Sequence, residues 1–215
     1  MSSHVEKTIA TYDRIAPAYA LTATPEIRAW EKKSLRMFRE LLRGPSVLVV
    51  GCGDGRDSRY LSSLGLQVVS LDLSEGMLSE ARRHDPGGTY LKRDLRSIGQ
   101  LGRRFDGVHA SGCLYHITRT EFETFLQDVT TVLNSQGVFY LNMKLGSGEE
   151  VRAVPGSAYP GGAEAQKALV GERYYCYYSH EELLSSFAKF KILHWQDMSV
   201  QLEGLNEYWL SPVDD

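Results

Sequence analysis

The sequence predicts a doubly wound α/β domain, and three observations carry that prediction. Apolar, β-branched runs alternate with helical periods from residue 47 to residue 141. The first run, Val47 to Val50, has no polar position, as expected of a strand buried on both faces of a parallel sheet. A glycine-rich turn then joins that strand directly to a helix.

Lys7 to Ala20 predicts a short helix that breaks near Pro17, because proline lacks the N–H that a helix interior needs. A longer helix follows, with Trp30, Ser34, Phe38 and Leu41 at near-helical spacing and Ile27, Met37 and Leu42 beside them; Gly44 and Pro45 end it. After the Val47 strand come a helix from Arg56 to Leu64, a strand from Val68 to Leu71 closed by Asp72, and a helix from Glu75 to Arg83. A third strand is expected near Thr89 to Leu91 and a fourth at Phe105 to Ala110. A helix at Glu121 to Leu133 and a fifth strand at Gly137 to Leu141 complete the alternation. Thr118 with Glu121, and Ser179 with Glu182, have the form of capping boxes. Gly146 to Gly171 shows no clear period and is expected to cross the sheet as a long mobile excursion. Two strand-like runs around Gly204 suggest an antiparallel pair at the sheet edge.

At 215 residues one domain suffices, with residues 1–43 as a helical cover and residues 146–178 as a substrate-side insertion. A net charge of -3, from 24 basic against 27 acidic residues, gives no global attraction to nucleic acid or to an anionic membrane. Cys52, Cys113 and Cys176 are widely spaced and lack paired metal-ligand spacing, so reduced thiols in a cytoplasmic protein without a metal site are expected. No window reaches the roughly eighteen apolar residues that a membrane span requires.

Gly51, Gly53 and Gly55 lie in V-V-G-C-G-D-G-R between strand and helix, where missing side chains let backbone approach a ligand. Asp72, 21 residues after Gly51, closes the next strand, where a carboxylate can accept both hydroxyl hydrogens of a ribose. Asp94 and Leu95 follow the third strand at the same sheet edge and offer a polar and an apolar contact to a purine. Together these strand ends describe a nucleoside crevice. Asp54, within the turn itself, would repel a pyrophosphate and suits a ligand with an amino group and a sulfonium.

V-L-V-V-G-C-G-D-G-R-D, V-V-S-L-D-L-S-E-G-M-L, K-R-D-L and F-D-G-V-H-A-S, in that order and spacing, resemble the class I S-adenosylmethionine-dependent methyltransferases of small-molecule type. The resemblance spans about Thr11 to Tyr140 and implies a Rossmann-like seven-stranded sheet with an antiparallel carboxy-terminal strand. It further implies that Gly51, Gly53 and Gly55 contact the methionine and ribose side of S-adenosyl-L-methionine, and that Asp72 binds the ribose. By the same resemblance Leu73 and Met77 flank the adenine, Asp94 reaches its amino group with Leu95 on the ring, and Ser111 lies near the methionine moiety. Tyr12 and Tyr19 resemble the amino-terminal helix that covers the cofactor in many members.

On the acceptor side, His116 in S-G-C-L-Y-H-I-T is a candidate general base or orienting hydrogen-bond partner, and Tyr115 a candidate substrate contact or a wall of the core. In the run Tyr174 to Tyr178, strand alternation sends Tyr174 and Cys176 one way and Tyr175 and Tyr177 the other; Tyr175 and Tyr177 are the candidate substrate contacts. Arg152, Glu164, Lys167 and Arg173 are available to recognise a charged substituent. The N-P-P-[FYW] run associated with amide or base-amine methylation is absent after the fourth strand. The expected activity is methyl transfer from S-adenosyl-L-methionine to an oxygen or nitrogen of a small molecule, by a monomer or homodimer. An inactive cofactor-binding regulator, and a non-methylating enzyme using the same cofactor, remain alternatives.

Overall fold

The computed structural model describes residues 3–22, 27–155, 163–199 and 204–213. Helices α1 (Ser3–Thr22) and α2 (Ala29–Leu41) precede an alternating series: β1 (Ser46–Val50), α3 (Arg56–Ser63), β2 (Gln67–Asp72), α4 (Glu75–His84) and β3 (Thr89–Lys92). A 3-10 segment, Leu95–Leu101, leads to β4 (Phe105–Ala110), and a 3-10 turn, Leu114–His116, leads to α5 (Arg119–Val132) and β5 (Leu133–Lys144). The rest comprises β6 (Glu149–Val154), α6 (Ala163–Ala168), β7 (Gly171–Cys176), α7 (His180–Ser186), β8 (Phe190–Asp197) and β9 (Leu205–Pro212).

Seven strands form one sheet in the order β3-β2-β1-β4-β5-β9-β8. The β1–β2, β1–β4, β2–β3 and β4–β5 pairs are parallel, while β9 runs antiparallel to both its neighbours. Alternate residues of β1 serve opposite cores. Leu48 and Val50 pack with Phe122, Phe125 and Val129 of α5, whereas Val47 and Val49 pack with Phe38 of α2, Leu61 of α3 and Leu78 of α4. Burial on both faces is why the Val47 to Val50 run carries no polar residue. Both expected capping boxes form, with the Thr118 and Ser179 hydroxyls accepting from the N–H groups of Glu121 and Glu182.

Two expectations are corrected. Helix α1 does not break at Pro17. Ile15 and Ala16, on its inner face, are fully buried with Met77 and Leu169, so tertiary packing offsets the lost hydrogen bond. The stretch from Gly146 to Gly171 is not without regular structure either, because β6 and α6 lie within it and β6 pairs antiparallel with β7. Its residues 156–162 lie outside the described residues. Most of β6 is exposed, which leaves no apolar period to reveal it in the sequence.

Helix α1 lies between α4 and β7. Asp13 Oδ1 accepts from Ser74 Oγ at 2.6 Å and from the Gly76 N–H at 2.9 Å, at the start of α4. Thr11 Oγ1 donates to the Glu172 carbonyl at 2.7 Å, and Thr8 Oγ1 accepts from the Tyr174 N–H at 3.0 Å. The helix is thereby fixed across the carboxyl ends of the parallel strands.

Candidate functional site

Beneath α1, at those strand ends, lies a cavity of about 470 Å³. Its size suits a drug-sized ligand. Gly51, at φ 62°, approaches Cys113 so closely that an added Cβ would come within 2.4 Å of the Cys113 Cβ. Gly53, at φ 54°, has open space where a Cβ would project and borders the cavity. Gly55 does not line it; a Cβ there would meet Tyr90 and Ala81, so its absence lets α4 and β3 pack against the turn.

Asp72 enters the cavity from the end of β2. One carboxylate oxygen accepts from the Gly53 N–H at 2.9 Å and the other from the Ser74 N–H at 2.8 Å. Each oxygen retains acceptor capacity for a ligand hydroxyl. Burial raises this carboxyl's pKa, and the backbone donors work against that rise. Leu73, Met77 and Leu95 form an apolar slot beside it. Asp94 also lines the cavity, but Arg96 engages its carboxylate through Nε at 2.9 and 3.0 Å while bonding Glu121 at 2.6 Å. Although burial would raise the Asp94 pKa, the bonds from Arg96 outweigh it and hold the carboxyl low. Asp54 does not point to solvent: it is buried against the cavity, and burial raises its pKa.

Tyr12 and Tyr19 of α1, and Ser111 after β4, belong to the cavity wall. Asn142 of β5, which sequence reasoning missed, holds Ser111 in place: its side chain accepts from the Gly112 N–H at 2.7 Å and donates to Ser111 Oγ at 2.8 Å. The signal was present as an asparagine interrupting the apolar run F-Y-L-N-M. His109 and Lys144 are two further lining residues missed in the sequence.

His116 also borders the cavity, yet both ring nitrogens are engaged. Nδ1 lies 2.6 Å from the Tyr174 carbonyl, which can only accept, so Nδ1 carries the proton. Nε2 therefore accepts from the Tyr12 hydroxyl at 3.0 Å. Burial pushes the His116 pKa down to about 3, with Arg173 and Lys144 adding to the depression against the opposing Tyr174 bond.

Tyr115 and Tyr175 stack at 5.8 Å and line the cavity. Tyr177 does not border it; it stacks on Tyr175 at 6.0 Å and donates to Glu150 at 2.8 Å. Tyr174 and Cys176 face the opposite way, into the core beside α5. Lys144 Nζ stands 4.8 Å from the Tyr175 ring centre and 5.3 Å from that of Tyr115, and the Arg152 guanidinium lies 4.7 Å from Tyr175. Arg173 is wholly buried and sits over Tyr12. The side chain of Glu164 lies outside the described residues, and Lys167 does not line the cavity. Among the described residues no group of three His, Cys, Asp or Glu side chains could hold a metal ion, and no helix is long and apolar enough to cross a membrane.

A sheet of this order, reversed only at β9 and carrying its pocket across the parallel strand ends, is the fold of the class I S-adenosylmethionine-dependent methyltransferases. Residues 47–137 match the family described as Methyltransferase domain. An uncharacterized methyltransferase of Schizosaccharomyces pombe is 29% identical over 100 residues, spanning 45% of this chain and 69% of that protein. A malonyl-[acyl-carrier protein] O-methyltransferase of Enterobacter lignolyticus is 35% identical over 99 residues, spanning 46% of this chain and 39% of the relative. The structure of DhpI in complex with SAH superposes with a TM-score of 0.73 over 100% of both chains, at 20% identity.

Proposed function

We propose that the protein transfers a methyl group from S-adenosyl-L-methionine to an oxygen or nitrogen of a small molecule. The observation that carries this reading is that Gly53 and Asp72 share one cavity with Tyr115, His116 and Tyr175, so donor and acceptor ends are walls of a single pocket. S-adenosyl-L-methionine supplies an electrophilic methyl group on a sulfonium. Asp72 binds the ribose hydroxyls, Leu73, Met77 and Leu95 hold the adenine, and the open side of Gly53 admits ligand backbone at close range. Asp94 takes part in adenine binding with the acceptor capacity that Arg96 leaves.

The protein contributes alignment and exclusion of water. Tyr12 and Tyr19 cover the donor, while Tyr115 and Tyr175 hold the acceptor. His116, neutral with both nitrogens engaged, orients Tyr12 rather than collecting the acceptor's proton. The malonyl-[acyl-carrier protein] O-methyltransferase relative supports an oxygen acceptor. Three free, buried cysteines are compatible with a reducing cytoplasm, and a monomer or homodimer is the proposed working form.

Calorimetry tests the donor end: S-adenosyl-L-methionine and its demethylated product should bind and NAD should not. Asp72→Ala should weaken that binding by about 1.5 to 3 kcal/mol, the scale of hydrogen bonds to a charged group. Incubation with phenols, acids and amines, followed by mass analysis for one added methyl group, tests turnover. Binding without any methylated product would favour a cofactor-dependent regulator.

A further inference from the structure

We infer that the acceptor carries an anionic oxyacid group, a carboxylate or a phosphoryl group, held by Lys144 and Arg152 against the Tyr115–Tyr175 wall. The inference rests on the cavity being the methyl-transfer site. Lys144 ends β5, borders the cavity and lies over two aromatic rings, without a carboxylate at ion-pair distance among the described residues. Arg152 approaches the same Tyr175 ring. Its described ion pair is with Glu150 at 3.6 Å, and both of those side chains are about half exposed, so the pair is weak. Opposite Arg152 in the β6–β7 register stands the buried Arg173. Lys144 and Arg152 line that end of the cavity, and Arg173, which is not part of the lining, adds a third positive charge near Lys144.

That crowding has a cost, visible in Lys144, whose pKa is lowered by burial and then by Arg152 and Arg173. An anion between Lys144 and Arg152 would relieve the repulsion and gain charge-assisted hydrogen bonds. The aromatic wall supplies apolar contact to the rest of such a molecule. Toward the β1–β3 strand ends the lining carries both signs, with Asp54, Asp57, Asp72 and Asp94 beside Arg56, Arg93 and Arg96. At the Tyr115–Tyr175 wall, by contrast, the charged lining groups against the rings are Lys144 and Arg152.

The donor's own carboxylate is the chief competitor for these cations. Strand order argues against it: β4 separates β5 from the β1 glycine turn, and two strand spacings amount to about 10 Å. Benzoate and phenyl phosphate, with benzamide and benzyl alcohol as neutral counterparts, serve as probes on protein loaded with S-adenosylhomocysteine.

Calorimetry should show at least one anion binding about tenfold or more tightly than its neutral counterpart, the effect expected of one charge-assisted bond. Benzoate alone would identify carboxylate chemistry, and phenyl phosphate alone phosphoryl chemistry. Lys144→Met should abolish the preference and Lys144→Arg retain much of it, with S-adenosylhomocysteine affinity changed less than about twofold, since no new donor contact is lost. Arg152→Gln, at a more exposed position, should cause a smaller loss in the same direction and stands in should Lys144→Met fail to fold.

Equal binding of anions and neutral counterparts, or a preference that survives Lys144→Met, would overturn the inference. So would a loss of S-adenosylhomocysteine affinity in Lys144→Met with 5′-methylthioadenosine, which lacks the carboxylate, binding as before; the cation would then serve the donor. If wild-type protein binds no S-adenosylhomocysteine at all, the methyl-transfer reading fails first and this inference falls with it.

Discussion

The Tyr12–His116–Tyr174 chain shows how two hydrogen bonds can redirect a residue's chemistry. A histidine after the fourth strand of such a fold is a natural candidate base, but a base needs an available nitrogen and a pKa near the working pH. His116 spends Nδ1–H on the Tyr174 carbonyl and receives the Tyr12 proton at Nε2. Its neutral form persists to about pH 3. The ring thus ties α1 to β7 across the cavity. Tyr12→Phe removes the hydroxyl and leaves the ring, so it should cost about 1 kcal/mol in donor affinity through loosened cover, the net worth of one neutral hydrogen bond. His116→Asn should lower donor affinity and turnover together. The pH profile of kcat should keep the same shape in both variants between pH 6 and 8. A near-neutral limb that vanishes only in His116→Asn would restore the general-base role.

At the scale of elements, the cover is set by close backbone approach. A Cβ at Gly76 would stand 2.6 Å from the Asp13 carbonyl oxygen and 2.9 Å from its Cα, atoms that cannot rotate aside. Gly76→Ala should therefore push α1 off α4, an overpacking effect of roughly 1 to 3 kcal/mol. Hydrogen exchange should then accelerate across residues 3–22 and donor affinity fall, while β1 keeps its protection. Unchanged exchange in α1 would mean that the helix is held elsewhere. This approach was not legible in the sequence, and neither was the persistence of α1 through Pro17, because both depend on what the helix packs against. The parallel core was legible, since burial on two faces writes itself as the unbroken apolar run Val47 to Val50. That Gly51, Gly53, Asp72 and Leu95 border one cavity was readable because local turns and strand ends build that part of it. The acceptor end was only partly so: β5 runs past Leu141 and carries Asn142 and Lys144 to the cavity, and β6 shows no pattern until β7 pairs with it.

For the whole molecule, two buried neutral histidines link folding to pH. His109, in the middle of the sheet, stacks on Tyr140 at 4.5 Å and meets Phe38 edge-on at 5.6 Å; its Nδ1 is buried without a hydrogen-bond partner among the described residues. Burial pushes its pKa down to about 4, and Asp57 only partly opposes this. An unfolded histidine titrates near 6.5. Between that value and about 4 the unfolded chain therefore binds a proton at residue 109 that the native protein does not, and stability must fall as pH falls. His116 contributes in the same sense, down to about pH 3. Each such group gives a slope of up to about 1.4 kcal/mol per pH unit. Asp54, Asp72 and Glu207 act with opposite sign, because burial raises their pKa values and the native protein then takes up protons before the unfolded chain does. Raw stability against pH would mix these contributions, so the informative quantity is the difference between wild type and His109→Gln. Denaturant unfolding from pH 7.5 to 4.5 should show that difference constant above pH 7, then shifting toward the variant by up to about 1.4 kcal/mol for each unit below 6.5. A difference that stays flat over the whole range would mean that water or a structural opening reaches His109 in the native state. The two histidines differ in what holds them: His116 is hydrogen-bonded between α1 and β7, whereas His109 is held within the sheet by the Tyr140 and Phe38 rings.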